Sequence, residues 1–175
     1  LDERGKQTLY YEKAEWEIAG ETKGLRYGEN PDQPAALYRL VNGNLTLGEV
    51  TTIQPGRFLA SEAELLQSGK HPGKTNITDV DNALNILRYF QEQPTAVIVK
   101  HNNPCGAAVG ETLVEAYRKA LMADRIAAFG GAVVLNRAVD RATAEAICES
   151  YCEVVAAPEF EAGVMELFGA KKNLR

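Results

Sequence analysis

A chain of 175 residues, 45% hydrophobic and 25% charged, has the make-up of a globular protein with room for one substantial core or two small ones. Its formal net charge of −5 argues against a general electrostatic grip on nucleic acid or an anionic membrane, while leaving room for one local cationic pocket. No apolar run approaches the ~20 residues that span a bilayer, and the start carries no signal-peptide pattern. Three cysteines, Cys105, Cys148 and Cys152, are too few and too oddly numbered for a disulfide framework, which favours a reducing cytoplasm. Only two histidines, His71 and His101, weaken the case for a catalytic zinc, since such sites usually need three protein ligands. The start at Leu1 without methionine and the end at Arg175 read as a fragment or processed piece.

In chain order, residues 1–23 form a polar lead-in arm around Tyr10, Tyr11, Trp16 and Ile18. The run Gly24-Leu25-Arg26-Tyr27-Gly28-Glu29-Asn30-Pro31 marks an ordered turn. Residues 35–40 fit a strand, Asn42-Gly43 signals a hairpin, and Gln54-Pro55-Gly56 breaks the chain. A short helix is predicted over 61–67, followed by a cationic loop over 68–74. That loop superficially resembles a phosphate loop, but it lacks the Gly-Lys-Ser/Thr ending.

Beyond it the pattern becomes regular. Thr78 can cap a helix over 79–91 with Val80, Ala83, Leu84, Leu87 and Tyr89 or Phe90 on its buried side. A buried strand follows over 95–100. A second helix runs from Thr112 through 123 with Leu113, Ala116, Tyr117, Ala120 and Leu121 inward. Strand 132–135, helix 142–151, strand 154–157 and helix 159–168 complete the alternation. This order predicts an α/β fold of three layers, with a mostly parallel sheet covered on both faces.

The strand over 95–100 ends in Lys100-His101-Asn102-Asn103-Pro104-Cys105-Gly106. Strand ends in open α/β sheets are where ligands usually bind. A solvated loop would explain a lysine beside a histidine equally simply, but the Asn-Pro-Cys-Gly that follows would hold the turn rigid. Imidazoles titrate near ~6.5 and suit general-base work near neutrality, while an ammonium can stabilise an oxyanion. The Gly106-Ala107-Ala108 run lets a ligand or a helix approach the backbone.

Other signals are weaker. Cys105 could be a nucleophile, yet nothing orients an imidazole toward it, and a small buried thiol is the simpler reading. Cys148 and Cys152, spaced i and i+4 on the third predicted helix, read as core or interface residues. The zinc-deaminase pattern needs His-x-Glu and Pro-Cys-x-x-Cys, and neither is present. Arg26 can bind phosphate or carboxylate, and Tyr27 can stack on a heterocycle. Phe129-Gly130-Gly131 is at least a tight turn, and Glu153 is an edge charge or a ligand acceptor.

Three segments together carry a resemblance: Leu25 through Gln33, Lys100 through Gly106, and Ala123-Asp124-Arg125 with Phe129-Gly130-Gly131. They are similar to the formyltransferase region of the bifunctional purine-biosynthesis enzymes that join 5-aminoimidazole-4-carboxamide ribonucleotide (AICAR) formyltransferase to inosine monophosphate (IMP) cyclohydrolase. The resemblance covers residues 24–175 and implies the first of two cytidine-deaminase-like halves, in a fold without zinc. It implies a cyclohydrolase domain before this segment and the second transferase half after it.

The resemblance further implies Lys100 as transition-state stabiliser and His101 as proton acceptor. It makes Arg26, Tyr27, Gly130 and Glu153 the contacts to the AICAR nucleotide, with Arg26 and Tyr27 acting across a homodimer interface. The formyl donor it implies is 10-formyltetrahydrofolate, whose contacts fall mostly outside this chain. Asp32 stands where the family commonly has histidine, a change that touches none of these roles. The competing expectations are a nucleotide-binding module without a reaction, and an assembly half-domain without activity of its own.

Overall fold

The computed structural model describes residues 11–40, 46–47, 50–51 and 60–175. The predicted Asn42-Gly43 hairpin and the break at 54–56 lie outside these residues. In the lead-in arm, β1 (Tyr11–Ala14) pairs antiparallel with β4 (Leu37–Leu40), and β2 (Trp16–Ile18) with β3 (Glu21–Lys23). Short β5 (Thr46–Leu47) and β6 (Val50–Thr51) form another antiparallel pair. The helix predicted over 61–67 is a single 3-10 turn at Ala60–Glu62.

The remainder is an α/β sandwich: α1 (Lys74–Leu87), β7 (Thr95–Lys100), β8 (Asn103–Val109), α2 (Leu113–Ala123), α3 (Arg125–Ala128), β9 (Ala132–Leu135), α4 (Arg141–Cys148), β10 (Val154–Ala156) and α5 (Val164–Gly169). Side chains alternate across the sheet, as the period of two requires. Val97, Val99, Ala132, Val134 and Val154 pack with Val80, Ala83 and Leu87 of α1. Ala96, Ile98, Val133, Leu135 and Val155 pack with α2, α4 and α5 through Ala116, Tyr117, Ala120, Ile147 and Phe168. The predicted three layers are therefore present.

The sheet, however, is mixed rather than mostly parallel. Its order is β10-β9-β7-β8; β9 and β10 are parallel, while β7 runs antiparallel to both β8 and β9. The reason lies in the turn after Lys100. Lys100 faces Asn103 across the ladder, so His101 and Asn102 alone close a hairpin. Both have positive φ, 52° and 64°, as a type I′ turn demands of its two central residues. The segment expected to be a rigid turn over 103–106 is instead strand. Pro104 is tolerated because β8 is an edge strand, and the ladder skips Cys105, leaving a bulge.

The helices match the prediction at α2, whose Thr112 hydroxyl accepts the Glu115 amide. They differ elsewhere. Helix α1 begins at Lys74 because Asn76 Oδ1 accepts the Gly73 amide at 3.0 Å and fixes the first turn earlier. Thr78 is thus an interior residue, donating to the Thr75 carbonyl at 3.1 Å. The helix ends at Leu87, and Asn136 and Arg137 bind the carbonyls of residues 90–93. Tyr89 and Phe90 are consequently exposed rather than buried. Helix α5 begins at Val164, because Phe160 is held by a bridge to Val139.

Helix α4 ends at Cys148, so Cys152 is off the helix rather than one turn along it. Burial, reinforced by the neighbouring Cys148 thiol, pushes the Cys152 thiol up from about 9 to about 12. Since the thiolate is the reactive form, iodoacetamide at about pH 8 should leave Cys152 unmodified in the native protein and label it after denaturation. Peptide mapping that found equal labelling in both states would contradict this packing.

Candidate functional site

The mixed topology decides which residues meet. Lys100 is the last residue of β7, and its antiparallel neighbour β9 starts at the same edge, with Val99 opposite Ala132. Parallel β10 starts there too, with Val154 opposite Ala132. Residues just before β9 and β10 therefore share an edge with the Lys100-His101 turn. A sheet with β9 and β10 parallel to β7 would have sent Gly130 and Glu153 to the far edge.

Lys100 Nζ donates to the Phe129 carbonyl at 2.5 Å, and a Cβ placed on Gly130 would lie 4.0 Å from that nitrogen. Gly130 has φ +78° and would press a Cβ to 3.3 Å from the Tyr151 ring. The site thus requires glycine there for both conformation and space. The Gly130 amide donates to the Tyr151 carbonyl at 2.8 Å and the Glu153 amide to the Gly131 carbonyl at 3.0 Å, which locks the start of β9 to the start of β10. The Phe129 and Tyr151 rings pack at 5.1 Å.

Glu153 is anchored from two sides. Asn76 Nδ2 donates to its Oε2 at 3.1 Å, and Arg175 Nη1 lies 3.7 Å from the same oxygen. Arg175 also donates through Nε to the Lys70 carbonyl at 2.9 Å. Burial lowers the Arg175 pKa from its ordinary value, the Glu153 carboxylate opposes this, and the charge of Arg26 adds to the lowering. Burial and the Glu153 carboxylate together raise the Tyr151 phenol.

Arg26 and Tyr27 stand at the start of α1. The Arg26 amide donates to the Pro72 carbonyl at 2.8 Å, and the Lys74 amide to the Tyr27 carbonyl at 2.9 Å. The Arg26 guanidinium sits 5.0 Å from the centre of the Tyr27 ring, and a Cβ placed on Gly73 would lie 3.4 Å from that ring. Lys74 pairs with Glu29. Gly69 packs against the Lys172 carbonyl so closely that a Cβ would clash at 1.9 Å. The predicted cationic loop is thus clamped to residues 172–175.

Of the residues singled out in the sequence, Lys100, Gly130 and Glu153 share the sheet edge directly. Arg26 and Tyr27 reach it through Gly73, Asn76 and Arg175. The His101 imidazole is exposed, and its backbone amide donates to Asp79 Oδ2 at 3.2 Å. Cys105 is partly buried, its Sγ 3.9 Å from the Asn103 carbonyl, and burial raises its pKa. Asn76, Asp79 and Arg175 were not anticipated. Their signal was polar residues at 76, 79 and 82 interleaved with the buried positions of α1; Arg175 gave none.

Among the described residues, no three His, Cys, Asp or Glu side chains gather as a metal set would, and no helix is long and apolar enough to cross a membrane.

The family described as "AICARFT/IMPCHase bienzyme" matches residues 3–175. The chain is 45% identical over 154 residues to the bifunctional purine biosynthesis protein PurH of Myxococcus xanthus, covering 88% of this chain and 28% of that protein. It is 43% identical to the protein of the same name from Bacillus subtilis, over 87% of this chain and 27% of the relative. For that of Enterococcus faecalis the figures are 42%, 97% and 29%. The chain therefore spans under a third of the length of these relatives.

Proposed function

This chain belongs to the AICARFT/IMPCHase bienzyme family, and we propose that it supplies the lysine–histidine half of a formyl-transfer site. In this reading a formyl group passes from 10-formyltetrahydrofolate to the 5-amine of AICAR, a step in making IMP. The observation that carries the reading is the shared sheet edge. A cation, an exposed imidazole, a space-making glycine and an anchored carboxylate converge there, one helix away from an arginine and a tyrosine.

The AICAR amine is a poor nucleophile because its lone pair is delocalised into the ring and carboxamide. His101 takes the amine proton as the new C–N bond forms, and Lys100 faces the charge that builds on the formyl oxygen. The bond from the formyl carbon to folate N10 then breaks, and tetrahydrofolate leaves with a proton on N10. The bond from Lys100 to the Phe129 carbonyl aims the ammonium before substrate arrives. Glu153 accepts from the nucleotide, Gly130 lets it approach the backbone, and Arg26 with Tyr27 holds its phosphate and ring. The folate supplies the formyl carbon; no described residue is assigned to it.

We read the half-domain as cytidine-deaminase-like, supported by a mixed four-stranded sheet between helices. A homodimer with the site at its interface accords with Met122, Ile126 and Phe129 standing exposed near the Lys100 edge. Free thiols accord with the cytoplasm.

The test is to incubate the natural full-length protein with AICAR and 10-formyltetrahydrofolate and follow the formylated nucleotide by mass. Product formation is expected. Binding heat with AICAR but no product would replace this reading with that of a binding module.

A further inference from the structure

Helix α1 presents Asn76, Asp79 and Asn82 at three-residue spacing, so they lie along one side of the helix. Each reaches into the edge described above. Asn76 holds Glu153, and Asn82 Nδ2 donates to Asn102 Oδ1 at 3.0 Å. Asp79 lies between them and is only 5% exposed. Its Oδ2 accepts the His101 amide at 3.2 Å, and its Oδ1 accepts the Asn102 amide at 2.7 Å.

A buried carboxylate receiving two adjacent backbone N–H groups is costly to place and strong once placed. Both residues it holds take positive φ without being glycine, a conformation that L-residues resist. Asparagine and histidine take it more often than other side chains do, yet it remains uncommon for any residue but glycine. The turn also binds itself through Asn103 Nδ2 to the His101 carbonyl at 2.9 Å, but that bond leaves both turn amides unheld. Nothing else among the described hydrogen bonds satisfies them.

We infer that Asp79 is a positioning residue: its carboxylate holds the His101-Asn102 turn left-handed, and thereby sets where the His101 imidazole and the Lys100 ammonium stand. The inference rests on the formyl-transfer reading for its catalytic consequence, though not for its structural one. Asp79 touches no substrate in this account. It acts through the turn, and the same helix fixes Glu153 one turn earlier, so that one rigid rod sets the spacing between the nucleotide-contact acid and the proton acceptor.

The experiment uses Asp79→Asn in the natural full-length protein. The amide keeps the volume but turns one acceptor into a donor that faces a backbone N–H. Turnover should fall by about 10²-fold, the loss expected when a catalytic group is misplaced by about 1 Å, with the AICAR dissociation constant unchanged within about threefold. Adding Asn102→Gly, which takes positive φ without help, should recover about tenfold of that turnover. A merely structural aspartate would lose binding and turnover together and show no rescue.

Hydrogen exchange over a peptide spanning 97–103 provides an arm independent of activity: the turn amides should exchange faster in Asp79→Asn, with α1 unchanged. That arm separates failure of the inference from failure of the functional reading, because it is measurable in a protein with no transferase activity. Asn102→Val serves if Asp79→Asn does not fold, since it opposes the same turn with Asp79 intact; its turnover should fall with affinity kept. Full turnover in either variant, or protection of the turn amides in Asp79→Asn, would overturn the inference.

Discussion

Replacing His101 with alanine in the natural full-length protein is expected to lower turnover by about 10²–10⁴-fold, the usual contribution of a positioned general base. AICAR affinity should stay within about threefold, because the imidazole is exposed and no described hydrogen bond joins it to Gly130 or Glu153, the contacts proposed for the nucleotide. The backbone of residue 101 keeps its bond to Asp79 in the variant, so the turn and Lys100 stay in place. Lys100→Ala should cost a comparable ~10²–10³-fold, as loss of an oxyanion donor does. It also frees the Phe129 carbonyl, so its binding loss should exceed that of His101→Ala. Rapid-mixing turnover beside calorimetry with AICAR separates the two quantities. A His101→Ala enzyme with wild-type turnover would remove the imidazole from the mechanism and leave Lys100 as the only catalytic group on the turn.

The largest stability effect is expected at Gly106→Ala. A Cβ there would fall 2.0 Å from the Ala120 carbonyl oxygen and 3.1 Å from Ala123 Cβ. Neither side can yield easily. Gly106 pairs with Ile98 in the sheet, and α2 is pressed onto it through Ala116 and Ala120, both at 0% exposure. Separating strand and helix would open the core around Tyr117, so the cost should reach or exceed the ~3 kcal/mol upper range of ordinary overpacking. Gly169→Ala is the matched comparison, because nothing lies within 4 Å of its Cβ position; added to a helix, it should cost nothing. Urea titration of both variants distinguishes them. Equal midpoints would mean that β8 and α2 are less tightly joined than described.

How much of this was legible in the sequence follows from which forces act locally. The bounds of β7 and β9 and the inward stripe of α2 were readable, because continuous β-branched runs and helical periodicity are local signals. So was the closeness licensed by Gly106, which a helix uses rather than a ligand. Strand direction was not readable. The two-residue loops that announce a hairpin contain Asn-Gly or Asp-Gly, whereas His101-Asn102 is held by a carboxylate 22 residues upstream.

That misreading mattered, since a mostly parallel sheet and a common site for Lys100, Gly130 and Glu153 are incompatible. The resemblance groups Lys100, Gly130 and Glu153, and the antiparallel β7–β9 ladder is what brings these three to one sheet edge. The start of α1 was missed for a similar reason: its cap is a backward bond from Asn76 to a glycine amide, which resembles no ordinary N-cap sequence.

Strand β8 is the rim of the four-stranded sheet, and an outward row of free amides and carbonyls is an invitation to a stray chain. Pro104 offers no amide hydrogen, and the skipped Cys105 breaks the spacing of the groups beside it. A foreign strand arriving at the end nearest the Lys100-His101 turn therefore finds no regular ladder to extend. The irregular start of this strand guards against strand-to-strand pairing at the end nearest the turn.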